Sequence, residues 1–291
     1  MRLVLTGILL SASVLWMAGK PWEAPSTQKP PPSARYLFSL KNQAISESSG
    51  VASSHLKPGV FWTHNDSGGK AEVYAFGSTG NDLGTFTLAG IQARDWEDMA
   101  SAKIDGVACL YVGDIGDNMA NQREVRIYRF REPKAQIPGG SIDEFMTYVV
   151  RYPDGAHNCE TLMVSPAGDI YLVSKSEIGD SAVYVLAAPA KSGTYTLKRV
   201  GTIKLEAGNV YSHMITGGDI SPDGSTVVIR TYFSILLYRS AKLQEFWKST
   251  PVSLPVPMER QGESVCFDWE NARLLTTSEG SPCRVSAVTL P

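Results

Sequence analysis

Five short segments of the chain each begin with a small or acidic residue followed by apolar residues, and the first positions are Ser49, Glu97, Glu160, Gly218 and Glu263. If the fold brings these positions together, the three glutamates cannot all stay ionised at low dielectric constant unless a cation lies between them. Ca²⁺ suits such a site because it accepts about six to eight oxygen ligands. We therefore predict a Ca²⁺-type site formed by Glu97, Glu160, Glu263 and Ser49. The alternative is that the glutamates only bind backbone amides of neighbouring strands.

Polar residues also follow the second apolar strand of each segment, where the turns of a repeated sheet would emerge on the same face. Two of them, Asp66 and Asp114, are predicted to position or deprotonate water. Four others carry nitrogen donors that suit a phosphate or carboxylate group of a substrate: His64, Lys175, Arg230 and Arg123. Ordinary turn chemistry is the alternative for the Asn, Asp, Ser and Gly residues of these turns.

An internal repeat indicates which elements position these residues. A strand centred on a tyrosine recurs at Tyr74, Tyr128, Tyr184 and Tyr238, and a fifth strand at 285–288 lacks the tyrosine. Each follows another apolar strand, and the first positions of the five segments are 48, 63, 58 and 45 residues apart. Four short strands in a unit of about 45 residues are typical of a β-propeller blade.

The repeat therefore predicts an all-β fold, a β-propeller of five blades. The last unit reaches the end of the sequence after three strands, and residues 36–40 are predicted to supply its fourth strand and close the ring. Six blades are the alternative count, since the long interval between residues 130 and 160 has room for extra strands. A β-sandwich with irregular hairpins is the alternative fold.

The first 34 residues differ from the rest. Residues 1–20 have Arg2 before an apolar run that ends in small residues, which predicts a signal peptide or, if uncleaved, an N-terminal membrane anchor. Residues 21–34 contain five prolines and are predicted to be a linker, so the propeller domain is placed at 35–291. We expect a secreted or periplasmic protein.

Composition supports this class of protein and limits its partners. The chain has 26 Gly and 17 Pro among 291 residues, which favours turns and an all-β fold. A net charge of −2 gives no indication of nucleic-acid binding, and we expect a monomer. The four cysteines, at 109, 159, 266 and 283, are compatible with an oxidising compartment. A bridge between Cys266 and Cys283 is one hypothesis, although all three pairings stay open.

Three stretches resemble exported bacterial propeller proteins of unassigned activity: residues 64–68 (HNDSG), 95–100 (DWEDMA) and 111–118 (YVGDIGDN). The five first positions are more distantly similar to calcium-activated nucleotidases (apyrases), five-bladed propellers with a central Ca²⁺. That family has serine at the fourth position, where this chain has Gly218. The inner-strand acids are also similar to those of lactonase-like and phytase-like propellers. All of these resemblances imply a propeller, and the similarity to apyrases implies a central Ca²⁺.

The sequence thus supports two hypotheses of function. In the first, the protein is an exported hydrolase that uses a central Ca²⁺-type ion on anionic small molecules of phosphate or lactone type. In the second, it is a non-catalytic secreted propeller whose loops bind a partner or surface ligand, and the central acids are structural. Membrane contact is expected only through an uncleaved N-terminal anchor.

Overall fold

Short strands joined by polar turns make up nearly all of the chain that the structure describes. The computed structural model describes residues 32–205, 209–257, 259, 261–268 and 272–291. They form five sheets whose inner strands contact one another in a closed cycle, so the protein is an all-β, five-bladed propeller. The segment predicted as signal peptide or anchor lies outside the described residues, as does the linker up to residue 31. Within the described residues, no helix has the length and apolar character needed to cross a membrane.

Blades 1 and 2 carry five strands each. Blade 1 consists of β2 (Ser48–Ser53), β3 (Val60–Asn65), β4 (Glu72–Gly77) and β5 (Asp82–Leu88), with β9 (Gly139–Ile142) added parallel to β5. Blade 2 consists of β6 (Trp96–Ile104), β7 (Val107–Asp114), β8 (Val125–Arg131) and β10 (Phe145–Arg151), with β14 (Gly193–Thr196) added parallel to β10. The first strand named in each blade is the inner one.

Blades 3, 4 and 5 have four strands each. Blade 3 consists of β11 (Cys159–Val164), β12 (Ile170–Ser174), β13 (Asp180–Leu186) and β15 (Lys198–Lys204). Blade 4 consists of β16 (Ile215–Ile220), β17 (Thr226–Thr231), β18 (Ile235–Arg239) and β19 (Val252–Leu254). Blade 5 consists of β20 (Gly262–Asp268), β21 (Arg273–Ser278), β22 (Arg284–Thr289) and β1 (Ala34–Ser39). A short helix, α1 (Val210–His213), precedes blade 4, and a 3₁₀ helix (Leu243–Lys248) lies before β19.

The two ends of the domain close the ring. The strand β1 pairs antiparallel with β22, from Ala34 opposite Val288 to Ser39 opposite Arg284. The five-blade prediction and the predicted closing strand are therefore confirmed, and the sandwich is excluded. The interval that suggested a sixth blade holds β9 and β10 instead, and these strands extend blades 1 and 2.

The core lies between neighbouring blades. The repeated tyrosines of the third strands, Tyr74, Tyr128, Tyr184 and Tyr238, are each 3% exposed or less. Trp62 and Trp96 are fully buried in one cluster that spans blades 1 and 2. The recurring tyrosine was therefore a packing signal, since each large ring fills space that two facing sheets leave between them.

All four cysteines are buried free thiols, so the proposed Cys266–Cys283 bridge is wrong. The Cys283 sulfur contacts the amide of Ser48, whereas the Cys266 sulfur lies 3.7 Å from the hydroxyl of Ser53. Ser48 and Ser53 are the two ends of β2, and at ~3.3 Å per residue they are too far apart for the sulfurs to meet.

Two aspartates, the buried Asp98 and the half-buried Asp219, link adjacent inner strands. Asp98 of β6 accepts hydrogen bonds from the amide of Leu162 in blade 3, at 2.9 Å, and from its own neighbour Met99, at 2.8 Å. Asp219 of β16 likewise accepts from the amide of Phe267 in blade 5, at 2.8 Å. These aspartates thus bind amides of a neighbouring inner strand, as the alternative hypothesis expected of the glutamates.

Replacing Asp98 with alanine should destabilise the fold by about 2–4 kcal/mol, because two buried amides lose their acceptor. Urea unfolding followed by tryptophan fluorescence measures the change. The matched control is Asp143→Ala on the surface, which should change stability by no more than about 0.5 kcal/mol. An equal effect of the two substitutions would contradict the assigned role of Asp98.

Candidate functional site

The three predicted glutamates converge at one end of the ring of inner strands. Glu97, Glu160 and Glu263 each occupy the second residue of an inner strand, in β6, β11 and β20, and each is 3% exposed. One carboxylate oxygen from each lies within 4.8 Å of the other two. We call these three residues the axial cluster.

A bulge at the start of every inner strand explains why these side chains point inward. Pairing with the second strand skips the second residue, as between Trp96 and Asp98 in β6 or between Gly262 and Ser264 in β20, and in β11 it skips the third residue as well. A bulged residue has no partner across the ladder, so its side chain is redirected. The five positions thus aligned are Ser49, Glu97, Glu160, Thr216 and Glu263.

The prediction for the fourth position is therefore wrong by two residues. Thr216, and not Gly218, is equivalent to the glutamates, because the pairing shift in β16 falls between Ile215 and Gly217. Its hydroxyl donates to the carbonyl of Gly262 at 3.3 Å, as that of Ser49 donates to the carbonyl of Glu97 at 2.6 Å. Both hydroxyls thus connect their blade to the next, and the hydroxyl hydrogen of Ser49, a predicted metal ligand, is used in that contact.

A second acidic group adjoins the axial cluster. Asp66, Asp95 and Glu97 can each place a carboxylate oxygen within 4.8 Å of the others. Oδ1 of Asp66 is buried and has no hydrogen-bond partner among the described residues. Gly116 packs directly against the other two carboxylates, since a Cβ built on it would lie 2.1 Å from Oε1 of Glu97 and 2.4 Å from Oδ2 of Asp95. Only glycine leaves room for both.

One lysine and one tyrosine complete the site. Lys175 pairs with Oε1 of Glu160 at 2.5 Å and donates to the Tyr232 hydroxyl at 3.2 Å. The Tyr232 hydroxyl donates in turn to Oε1 of Glu263 at 3.4 Å. Oε2 of Glu160, by contrast, is buried without a hydrogen-bond partner in the part of the chain that the structure describes. Lys175 therefore neutralises only part of the negative charge.

Burial and mutual repulsion govern the ionisation of these acids. Burial raises the pKa of Glu160 to about 8, despite the opposing effect of Lys175. Burial also raises the pKa of Glu97 well above its usual range, and repulsion by Glu160 adds to the shift. The pKa of Asp66 is raised to about 6, again mainly by burial. Because their pKa values are raised, these acids retain protons to higher pH than free carboxylic acids do, and a bound cation would displace those protons.

This ionisation predicts how stability depends on pH when no cation is added. An acid whose pKa is raised by folding binds more protons in the folded state, so the free energy of unfolding falls as pH rises between its unfolded and folded pKa values. For Glu160 this interval runs from 4.5 to about 8. His64 has the opposite effect below pH 6.5, because burial lowers its pKa to about 4. The effect of the acids is therefore best seen above pH 6.5.

In EDTA, the melting temperature should fall from pH 6.5 to pH 8, and the fall should be smaller in Glu160→Gln. Differential scanning calorimetry at constant ionic strength measures both slopes. A melting temperature that rises over this interval would contradict the ionisation that we assign to these acids.

Arg230 does not bind a substrate in the way predicted. Its side chain is fully buried, and one guanidinium nitrogen donates to the carbonyl of Ser264 at 2.9 Å. A second nitrogen pairs with Glu259 at 2.6 Å, and the Glu259 side chain is itself only 3% exposed. A cation that is enclosed and paired in this manner cannot reach a ligand, so Arg230 is a structural residue.

His64 and Arg123 were also predicted to bind the substrate, but His64 is enclosed in the protein and Arg123 lies at the periphery of blade 2. His64 is fully buried between blades 1 and 2, with Nδ1 against the carbonyl of Asn65 and the ring edge-on to Trp96. Arg123 is exposed and lines a surface cleft with Arg126 and Arg151 on the outer strands of blade 2.

Asp114, the second predicted water-binding carboxylate, supports the site from behind. It is buried, accepts a hydrogen bond from the amide of Asp95 at 3.0 Å and pairs with Arg94 at 3.4 Å. Its carboxylate is thus engaged with the protein. Among the residues predicted to act from the turns after the second strands, Asp66 and Lys175 do lie at the axial cluster.

Three residues of the site were missed from the sequence: Asp95, Thr216 and Tyr232. A signal for Asp95 was present, because it stands two residues before Glu97 and residues two apart share one face of an extended chain. Tyr232 lies two residues after Arg230, and in that turn only Arg230 was predicted to have a function. Thr216 could be found only by recognising the bulge.

One comparison with known proteins supports the fold. No protein-family model matches the sequence, and no curated protein matches it either. Among solved structures, the PQQ-bound aldose sugar dehydrogenase from Streptomyces coelicolor matches with a TM-score of 0.52 and 10% identity, over 91% of this chain and 99% of that one. A gluconolactonase from Xanthomonas campestris matches with a TM-score of 0.48 and 11% identity, over 89% of each chain. At 10% identity, the likeness to the dehydrogenase shows the fold alone.

Proposed function

We propose that the axial cluster binds a divalent cation of the Ca²⁺ type and that the protein hydrolyses esters of the lactone type at this site. The observation that carries the proposal is the convergence of three buried carboxylates. In one of them, that of Glu160, Oε2 has no hydrogen-bond partner among the described residues. With all three ionised, their charge together with Lys175 is −2, which one divalent cation would balance. The ligands are all oxygen atoms, as hard cations prefer.

The residues of the site fit ester hydrolysis. A bound cation would polarise the ester carbonyl and stabilise the negative charge that develops on its oxygen. Asp66 suits the role of general base, because its pKa is raised to about 6 and Oδ1 has no partner among the described residues. Lys175 holds Glu160, and Tyr232 holds Glu263, in position.

Ester hydrolysis at this site transfers one proton through Asp66 and breaks one C–O bond. Water adds to the ester carbonyl carbon and the acyl C–O bond breaks. Asp66 takes one proton from the attacking water and returns it to the leaving alkoxide. The products are a hydroxyl group and a carboxylic acid, which ionises in solution. For a lactone both groups belong to one hydroxy acid.

The structure favours uncharged substrates over the anionic ones considered from the sequence. Arg230 is enclosed, Arg123 is remote, and Lys175 is paired with Glu160. A phosphate would meet the carboxylates of Asp66, Asp95 and the axial cluster without a free arginine or lysine among the residues assigned to the site. We also retain export as part of the proposal, on the basis of residues 1–20 alone.

The test is a panel of lactones, carboxylic esters and phosphate monoesters assayed with the full chain in Ca²⁺. We expect lactone hydrolysis that EDTA abolishes and added Ca²⁺ restores. Asp66→Asn should lower kcat by about 10²–10⁴-fold, as loss of a general base does. Glu177→Gln, an exposed acid on a neighbouring loop, is the matched control and should retain wild-type turnover.

Two results would argue against the hydrolase. If the protein binds Ca²⁺ but hydrolyses no member of the panel, the non-catalytic binding propeller is the better description. If the phosphate esters are the substrates, the preference for uncharged esters is wrong.

A further inference from the structure

Apolar side chains are exposed beside the axial cluster. Ile178 is 94% exposed, Phe233 55%, Tyr211 54% and Val210 39%. We call these four residues the apolar rim. They lie on three connections of blades 3 and 4, namely β12–β13, β15–β16 and β17–β18. Four exposed large apolar residues on neighbouring loops are a patch, whereas single ones scattered over a surface need no explanation.

The pairing of strands places these loops at the end of the ring where the axial cluster lies. The last residue of β12, Ser174, is opposite Cys159, which precedes Glu160. The last residue of β17, Thr231, is opposite Ile215, which precedes Thr216. The connections that follow β12 and β17 therefore emerge at the end that carries the acids.

Tyr232 joins the apolar rim to the axial cluster. Its hydroxyl contacts Lys175 and Glu263, and its ring meets that of Tyr211 edge-on at 6.0 Å between centroids. Tyr211 in turn meets Phe233 at 6.3 Å. The aromatic surface is thus continuous from the carboxylates to solvent, so a ligand at the cluster that extends over this side would touch it.

The Ile178 loop belongs to the same surface. Gly179 next to it packs near His213 of α1, since a Cβ built on Gly179 would lie 3.8 Å from Nδ1 of His213. The two loops therefore flank one another. Apart from the Tyr211 hydroxyl, the side chains of the apolar rim offer no hydrogen-bonding group, which favours an alkyl or aryl group over a sugar.

We propose that the substrate is an uncharged ester or lactone with an apolar alkyl or aryl substituent, which the apolar rim binds while the ester group lies at the axial cluster. The proposal rests on the proposed function for the position of the ester. It adds the substrate class and assigns Tyr211 and Phe233 as specificity-determining residues. Burial of an alkyl chain against these rings would contribute to affinity in proportion to chain length.

The first experiment measures kcat/KM for γ-lactones whose alkyl substituent grows from none to eight carbons, with the full chain in Ca²⁺. In the wild type we expect kcat/KM to rise about two- to fourfold per methylene until the rim is covered. In Phe233→Ala and Tyr211→Ala the ratio of the longest to the unsubstituted lactone should fall about tenfold. Leu56→Ala is the control, because Leu56 is 52% exposed on the loop between β2 and β3 at the other end of the ring. It should leave the ratio unchanged.

The second experiment does not need hydrolysis. Titration calorimetry with 2-alkylcyclopentanones, which carry a ring carbonyl but no ester bond, gives the dependence of affinity on chain length in the same variants. Affinity that rises with length and is lost in Phe233→Ala, with no lactone hydrolysed, would support the apolar rim and overturn the hydrolase. Hydrolysis with no dependence on length would overturn the apolar rim and leave the hydrolase. If neither hydrolysis nor ketone binding is found, both the hydrolase and the apolar rim are overturned. If affinity falls as much in Leu56→Ala as in Phe233→Ala, the apolar rim alone is overturned.

Discussion

Glu259→Gln should destabilise the protein by about 3–5 kcal/mol, one of the largest losses expected from a single change. The buried guanidinium of Arg230 would lose the carboxylate that lies 2.6 Å away, and neither group is more than 3% exposed. Breaking such a pair leaves an uncompensated charge in a region of low dielectric constant. Arg230 also binds the carbonyl of Ser264, so the loss would loosen the contact between blades 4 and 5. Urea unfolding at pH 7 measures the effect.

A double substitution separates the buried charge from simple loss of packing. Arg230→Met combined with Glu259→Leu removes both charges and should be less destabilising than Glu259→Gln alone. The exposed pair of Arg199 and Asp154 gives the control, and Arg199→Met should cost no more than about 1 kcal/mol. If the double variant were the least stable of the three, packing and not charge would account for the role of Arg230.

Saturating Ca²⁺ should raise the free energy of unfolding by about 2.7 kcal/mol at a concentration one hundred times Kd. The folded protein gathers the three carboxylates of the axial cluster, whereas the unfolded chain does not, so the ion binds the folded state. In Glu160→Gln and Glu263→Gln the difference between Ca²⁺ and EDTA should largely disappear. Each substitution keeps the size of the side chain and removes one negative ligand.

The measurement is the difference in melting temperature between Ca²⁺ and EDTA, taken for each variant separately. Such a difference is insensitive to changes that Glu160→Gln makes to the ion-free protein by releasing Lys175. Glu177→Gln, the same chemical change on an exposed loop, should keep the full shift. A shift that persists in both axial variants would place the ion elsewhere.

The fold could be predicted from the sequence because its signals are repeated. Four buried tyrosines at equivalent strand positions and a unit that recurs every 45 to 63 residues specify blades, even though no single strand is distinctive. The additions of β9 and β14 could not be foreseen. Each pairs in parallel with a strand far from it in the chain, and such pairing follows from tertiary packing rather than local pattern.

The axial cluster could be predicted for the same reason, since equivalent positions of repeated units meet at the axis. The surrounding residues could not, because they depend on which way a side chain points. Five of the six residues of β17 are buried, so no alternation shows that Arg230 faces blade 5 and not the site. Each inner strand has a bulge near its start, and only the strand pairing shows that Thr216, and not Gly218, occupies the bulged position in β16.

The two motifs at 95–100 and 111–118 each contain residues that face the candidate site and residues that stabilise the fold around it. In 95–100, Asp95 and Glu97 face the site, while Asp98 ties blade 2 to blade 3. In 111–118, Asp114 fixes the backbone of Asp95, and Gly116 makes room for the carboxylates. Residue types alone could not separate these roles, because all are acidic or small residues within a few positions of one another.

Titration of the EDTA-treated protein with Ca²⁺ in a calorimeter tests the central claim most directly. We predict one ion per chain, with binding lost in Glu97→Gln, Glu160→Gln and Glu263→Gln and retained in Glu177→Gln. The absence of binding at millimolar Ca²⁺, or binding that the three axial substitutions leave unchanged, would contradict the assignment of the axial cluster as a cation site.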